Sequence, residues 1–330
     1  MWIFLIKINK RLAVVILAVM AAGYLFGFSA TPASLGFLKT LILPFTFLMV
    51  CPMMVTLNLK ALQDGGKDVR LQLFAQGLNF AVVPFVAYGL GLVFFRGQPY
   101  LALGLLLASL LPASGMAISW TGFAKGNLAG AIRMTVIGLI LGSLAIPFYV
   151  QGLMGARVEV ALLLLVRQIM IIVFLPMLLG YFARQILLEK YGAQEFKKTW
   201  APRFSSLSTV GVLGMVFVVL ALKARGISEN PAILSDIFVP LLIMYVLNFG
   251  LSTVAGRLFF ARTDAVALVY GTVMRNLSIA LAVAVNAFGA KGADAALVIA
   301  VSYIIQLQSA VWCVKFNERI FGPAPSVELR

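Results

Sequence analysis

The feature that most constrains this chain is a succession of ten apolar stretches, each about as long as a helix must be to cross a membrane. A spanning helix takes roughly 20 mostly apolar residues, and such stretches run roughly over 12–28, 37–58, 71–95, 100–123, 127–153, 158–183, 204–223, 233–256, 264–288 and 293–316. No stretch between them is long enough for a soluble domain, and the longest polar connection runs from Arg184 to Arg203. Only 11% of the residues are charged and 62% are hydrophobic, whereas a soluble domain carries about 25% charged residues because its surface faces water. Most of this surface therefore faces lipid, and the expected fold class is an all-α membrane protein of ten transmembrane helices. The basic start and first apolar run lack a small-residue cleavage site, so the first stretch reads as a retained helix rather than a signal peptide. Cys51 and Cys313, the two cysteines, each lie inside an apolar stretch, which does not support a disulfide framework.

A net charge of +15 would suggest a nucleic-acid partner in a soluble protein. Here Lys and Arg sit in short runs between apolar stretches, the pattern of cytoplasmic loops, and no nucleic acid is expected. With the N-terminus inside, the inner connections hold Lys7, Lys10, Arg11, Lys60, Lys67, Arg70, Lys125, Arg184, Lys190, Lys197, Lys198, Arg203, Arg257, Arg262, Lys315, Arg319 and Arg330. The outer connections hold only Lys39, Arg96, Arg157, Lys223, Arg225 and Lys291, while Arg133, Arg167 and Arg275 fall within helices. This asymmetry places both termini in the cytoplasm, and the expected location is the plasma (inner) membrane of a bacterium or archaeon. Oligomeric state is not legible here.

The two halves echo each other. Leu78-Asn79-Phe80 in the third helix returns as Leu247-Asn248-Phe249 in the eighth, and Ala124-Lys125-Gly126 after the fourth returns as Ala290-Lys291-Gly292 after the ninth. Five helices per repeat is odd, so the second copy is inverted in the membrane, a common transporter architecture. The expected organisation is a first five-helix repeat over 1–154, an inverted second repeat over 157–320, and a cytoplasmic tail over 321–330.

Two helices are interrupted. The fourth contains Leu111-Pro112-Ala113-Ser114-Gly115, where Pro removes a helix hydrogen bond and Gly loosens the backbone. The ninth contains Thr272-Val273-Met274-Arg275-Asn276-Leu277-Ser278, a polar cluster within an apolar span. Paired interruptions in corresponding helices point to a binding site at the midplane; the plainer reading is a proline kink and some interhelical hydrogen bonds. Arg275 lies about eleven residues, or roughly 16 Å, into its helix, near the middle of a ~30 Å hydrocarbon core. An arginine there faces the protein interior, either to bind solute or to tie down helix-end carbonyls. Arg167 in the sixth helix raises the same question, and Arg133 in the fifth is shallow enough to snorkel.

Every acid falls in a connection or at a helix end, and the chain has no His. The midplane thus has no carboxylate or imidazole to hold a cation or relay a proton. An intramembrane hydrolase needs an Asp pair or His-containing metal or nucleophile sites, so no enzyme activity, metal or cofactor is expected. A pore or membrane sensor is the alternative from another class, but broken helices in inverted repeats favour alternating access.

Three segments resemble the bile acid:sodium symporter superfamily and, within it, the Acr3-type arsenite carriers. They are Trp120-Thr121-Gly122-Phe123-Ala124-Lys125-Gly126-Asn127, Phe174-Leu175-Pro176-Met177-Leu178-Leu179-Gly180-Tyr181-Phe182-Ala183-Arg184, and Asn276 through Gly289. The resemblance implies a panel of helices 1, 2, 6 and 7 and a core of helices 3–5 and 8–10, with helices 4 and 9 crossing at their breaks and the solute bound there. There are departures. Acr3 proteins carry a Cys in the fourth helix where this chain has Ala113, and a Glu in the ninth where it has Ser278. Positions matching the sodium-binding side chains of bile-acid-type members are Ala117, Ile118, Gly271 and Arg275. Cys51 is a candidate to replace the missing thiol, although a packed structural role is commoner for a buried Cys.

The expected function is secondary transport of a small anionic or oxygen-rich solute by alternating access, with arsenic or other oxyanion efflux leading and a sodium-coupled organic anion symporter as the alternative. Arg275, with Asn276, Ser278, Ser114, Ser119 and Thr121 as polar lining and Asn79 and Asn248 behind, is the expected substrate site. A guanidinium is always charged and presents five donors in a rigid fork, which suits such a solute and replaces a bound cation.

Overall fold

The computed structural model describes residues 2, 5, 6, 8, 11–62, 68–159 and 161–323. Lys7, Lys10, Lys67, Arg330 and residues 324–330 of the expected tail lie outside the described residues. Among those described, all regular structure is helical. The elements are α1 (Leu12–Ser29), α2 (Pro32–Thr56), α3 (Val69–Phe94), α4 (Pro99–Leu110), α5 (Gly115–Phe123) and α6 (Leu128–Met154). There follow α7 (Leu162–Ile169), α8 (Leu175–Glu195), α9 (Ala201–Glu229), α10 (Ala232–Phe259), α11 (Arg262–Val273), α12 (Leu277–Ala287) and α13 (Gly292–Phe321). Eight stretches of the described residues are long and apolar enough to cross a membrane, and α4 and α5, bent by 58° at their break, make a ninth together.

The stretch from Leu162 to Glu229 holds 68 residues, about 100 Å of helix and far more than one ~30 Å crossing. It is interrupted at Gly192, whose φ of 77° and ψ of 164° are not helical. The polar connection expected over Arg184–Arg203 is therefore corrected in part: α8 runs on as helix to Glu195 and α9 begins at Ala201. Aromatic and basic side chains make this possible at a membrane edge, where long stems lie on apolar rings and charges stay wet. Arg184 sits 4.8 Å from the Phe196 ring centre, Tyr191 stacks near Trp200, and Arg203 lies against both Trp200 and Trp2.

Small residues set the packing, because lipid tails are as apolar as Leu and give helices no hydrophobic reason to associate. Gly23 and Gly27, four apart on α1, lie so close to α9 that a Cβ on Gly23 would meet the Phe217 carbonyl oxygen at 2.7 Å. Gly138 and Gly142 on α6 do the same around the break after α4: a Cβ on Gly142 would meet the Leu110 carbonyl oxygen at 2.7 Å, and one on Gly138 the Pro112 carbonyl oxygen at 3.1 Å. Helices α1, α2, α8 and α9 pack together, α9 lying along α1 and α2 and α8 along α2. α4 packs on α13 and on α3, α10 on α11, and α5 on α6 and α11. α12 bridges towards α2 and α7, with Asn286 Nδ2 donating to Thr46 Oγ1 at 2.9 Å. Outer faces are apolar, as at Leu163 (83% exposed) and Phe148 (72%), whereas 94% of the most apolar window of Arg262–Ala287 is buried.

Polar side chains at the helix ends fall into two sets of local bonds. Arg262 donates to the carbonyls of Gly322 and Lys125, Arg184 to that of Thr56, and Arg133 pairs with Asp68. From the other set, Arg225 donates to the Ala30 carbonyl, Lys291 pairs with Glu159 at 3.5 Å, and Lys223 pairs with Asp294. Arg133 therefore has an ionic partner and does not snorkel alone. Arg167 is exposed beside Leu163, Leu164 and Val166, five residues from the start of α7, so it is shallower than the apolar stretch suggested.

Candidate functional site

The two interruptions meet. α4 stops at Leu110; Pro112 offers no N–H, Ala113 takes a left-handed φ of 52°, and α5 starts after Ser114 in extended geometry. α11 stops at Val273, and α12 starts from Asn276, whose side chain caps it by accepting from the Ile279 N–H at 3.3 Å. The backbone N–H of Asn276 donates to the Leu111 carbonyl at 2.8 Å, so one break supplies the hydrogen bond that the other lacks.

Arg275 sits at this junction with 1% of its surface exposed. Its backbone, freed from helical bonding, is held by one side chain of α13: Gln306 Oε1 accepts from the Arg275 N–H at 2.8 Å, and Gln306 Nε2 donates to the Arg275 carbonyl at 3.1 Å. The same Oε1 accepts from Tyr245 of α10 at 2.9 Å. The guanidinium donates through Nη1 to the Ser109 carbonyl at 3.1 Å, while Nε and Nη2 have no partner. Arg275 is in none of the ion pairs among the described residues. It therefore ties down one broken-helix carbonyl and keeps most of its donor fork free, a buried positive charge without a counter-charge.

The expected lining is only partly brought together. Asn276 lies against α2, its Nδ2 4.0 Å from Met53 Sδ. Ser114 is buried with its hydroxyl unpartnered beside the break. Ser278 is half-buried and shares a 2.9 Å hydrogen bond with Tyr303. Asn79 and Asn248 are buried below the junction; Asn79 Nδ2 donates weakly to the Gly271 carbonyl at 3.4 Å, and the Asn248 amide has no partner. Two members stand apart. Ser119 is exposed on α5 and is not brought to the buried junction. Thr121 is buried, but it lies seven residues beyond Ser114, about 10 Å along the helix, beside Gly126 and Val266 rather than at the crossing.

Gln306, Tyr245, Ser109 and Met53 complete the junction and were missed. The available signal was Gln306 itself, an amide in the middle of an otherwise apolar span, which needs a partner there. Among the described residues no three His, Cys, Asp or Glu side chains come together, and Cys51 and Cys313 are free thiols, both half-buried.

Comparison with known proteins adds three relatives and one family. The model of the sodium bile acid symporter family matches residues 43–230. The arsenical-resistance protein Acr3 of Corynebacterium glutamicum is 24% identical over 310 residues, covering 87% of this chain and 83% of that protein. Acr3 of Alkaliphilus metalliredigens is 23% identical over 289 residues, covering 83% and 80%. The uncharacterized transporter slr0944 of Synechocystis is 24% identical over 299 residues, covering 83% and 76%.

Proposed function

This chain belongs to the sodium bile acid symporter family, and on that premise we propose a secondary transporter that carries a small anionic or oxygen-rich solute across the membrane at the junction of the two broken helices. Ten crossings result when the Leu162–Glu229 stretch is counted as two and each broken pair as one. The packing groups suggest a panel of α1, α2 and the α7–α9 stretch against a core of α3–α6 and α10–α13, in two inverted repeats with both termini cytoplasmic. Arg275 carries the reading: it is a buried guanidinium at the point where Asn276 bonds Leu111, with Nε and Nη2 free for a ligand's oxygens. The relatives named for arsenical resistance make an arsenic oxyanion the leading solute. A thiol-based grip is not part of this proposal, because Ala113 occupies the break where the resemblance places a Cys.

The fixed charge also bears on coupling. A guanidinium that occupies the place of a cation cannot dissociate, so loading does not require sodium. Sodium-coupled organic anion symport is the rival. Purified protein in proteoliposomes separates them: saturable, counterflow-competent uptake of arsenite or arsenate without sodium is expected. Sodium-stimulated flux of the wild type overturns the ion-replacement mechanism, and non-saturating flux without counterflow overturns the carrier itself.

A further inference from the structure

One face of α3 is polar where a membrane helix has least reason to be. Asp68, just before the helix, and Gln72, Gln76 and Asn79 recur at steps of four, four and three, which stacks them in one line. Eleven residues span roughly 16 Å, the distance from a membrane face to the middle of a ~30 Å core. The line points inward. Asp68 pairs with Arg133 of α6, both side chains being about seven-eighths buried; Gln72 Nε2 donates to the Gly130 carbonyl at 3.1 Å, and Asn79 Nδ2 reaches the Gly271 carbonyl.

These bonds leave much of the stripe unused. Gln72 Oε1, both polar atoms of the Gln76 side chain and Asn79 Oδ1 are buried without a partner. The series continues where α3 ends its contact with α11. Gly256 of α10 packs on Ala265 of α11, and eight residues along each antiparallel helix from that contact bring Asn248 level with Val273. Asn248 Nδ2 and Oδ1 and Thr272 Oγ1, at 0% and 1% exposure, also lack partners. The free Nε and Nη2 of Arg275 come next. Buried polar atoms without partners are few in native proteins, and their recurrence along one face of α3 and on towards a buried charge has the pattern of a lining.

We propose that this stripe lines a water-binding track, a hydrogen-bonded file of waters joining the membrane face at the Asp68–Arg133 pair to the guanidinium of Arg275 through the interior of the α3, α6, α10 and α11 group. Amides and a hydroxyl suit water because each offers or accepts a hydrogen bond at every step. Arg133 at one end and Arg275 at the other are fixed cations, and Asp68 is already paired with Arg133, which disfavours a cation as the occupant. The track reaches the buried guanidinium from the α3 side, and it depends on these positions rather than on the identity of the solute.

Met134 reports on it. This residue is fully buried, packs with Leu71 and Ala75 of α3 and with Leu268 of α11, and has its sulfur beside Gly271. Met215 is equally buried but sits on α9, in a different hydrophobic cluster and outside the α3, α6, α10 and α11 group. Hydroxyl radicals made in place by a brief X-ray pulse label side chains next to bound water, so the protein in lipid nanodiscs is irradiated and methionine sulfoxide is read by mass spectrometry. Met134 is expected to oxidise several-fold faster than Met215, and to fall to the Met215 rate in Gln76→Leu. Equal rates at Met134 and Met215 in the wild type overturn the track, and a fast Met134 unchanged by Gln76→Leu overturns its course along α3.

Discussion

Gln306 is the single side chain on which the geometry of the crossing rests most directly, and Gln306→Leu tests that dependence. The substitution preserves volume to a first approximation and keeps the α13 backbone helical. It strips partners from three groups at once: the Arg275 N–H, the Arg275 carbonyl and the Tyr245 hydroxyl. A buried polar group left unsatisfied costs about 1–3 kcal/mol, which for three groups sets an upper range of roughly 3–9 kcal/mol. Interhelical hydrogen bonds inside membranes average only about 0.6 kcal/mol, since the unfolded chain in lipid also finds partners, and three of these sum to roughly 2 kcal/mol. The first estimate assumes no relaxation and the second assumes full relaxation. Arg275 is 1% exposed and lies outside the helices on either side of it, so relaxation is limited and a loss of about 2–5 kcal/mol is expected. The assay is reversible unfolding in mixed micelles or steric trapping in bilayers. Gln308→Leu, exposed two residues along the same helix, is the control and should stay within about 0.5 kcal/mol. If the two variants are equally benign, the junction does not depend on Gln306 and the reasoning fails.

Three further expectations follow from the same packing and hydrogen bonds. Arg275→Gln removes a charge-assisted donor fork, so solute affinity should fall by a factor of about 10–150, corresponding to about 1.5–3 kcal/mol; unchanged affinity in a folded variant, with no new sodium dependence, would leave Arg275 as a tie for the Ser109 carbonyl alone. Gly142→Val drives a side chain into the Leu110 carbonyl and should destabilise the protein by about 1–3 kcal/mol or more, whereas Gly89→Val, with open space around it, should be tolerated; thermal unfolding in detergent compares them. Lys125 and Lys291 should react with impermeant amine reagents from opposite membrane faces, and labelling of both from one face would contradict the inverted repeats.

The relation between the two halves shows how far a one-dimensional match can be trusted. Ala124-Lys125-Gly126 and Ala290-Lys291-Gly292 suggested that Lys125 corresponds to Lys291. In three dimensions the residue two positions past the end of α5 and of α12 has a left-handed φ, Lys125 at 54° and Gly289 at 55°. If the proposed repeats hold, these two turns correspond, Lys standing in one and Gly in the other, two residues out of step with the matched tripeptides. Lys adopts that conformation at a steric cost that Gly avoids, so a shared turn geometry need not leave a shared residue.

Apolar run length and the placement of Lys and Arg were enough to read a polytopic all-helical membrane protein, because the bilayer demands spans of one length and a charge bias at their ends. Pro112 and the Arg275-Asn276 pair were enough to locate both breaks, because a missing N–H and a mid-span charge have few places to go. Whether the breaks touch, and which side chains join them, was decided only by the tertiary structure. In water an amphipathic stripe announces the buried face of a helix, but in lipid both faces are apolar, and Ser119 and Ser114 look alike in sequence although one is exposed and the other buried. The partner of Arg275 lies 31 residues away on α13 and that of Asn276 is Leu111, just past the end of α4, contacts fixed by the close approach of small residues such as Gly142 rather than by any local pattern. A mid-membrane polar group must find a partner; sequence shows that the demand exists, and only packing determines which group meets it.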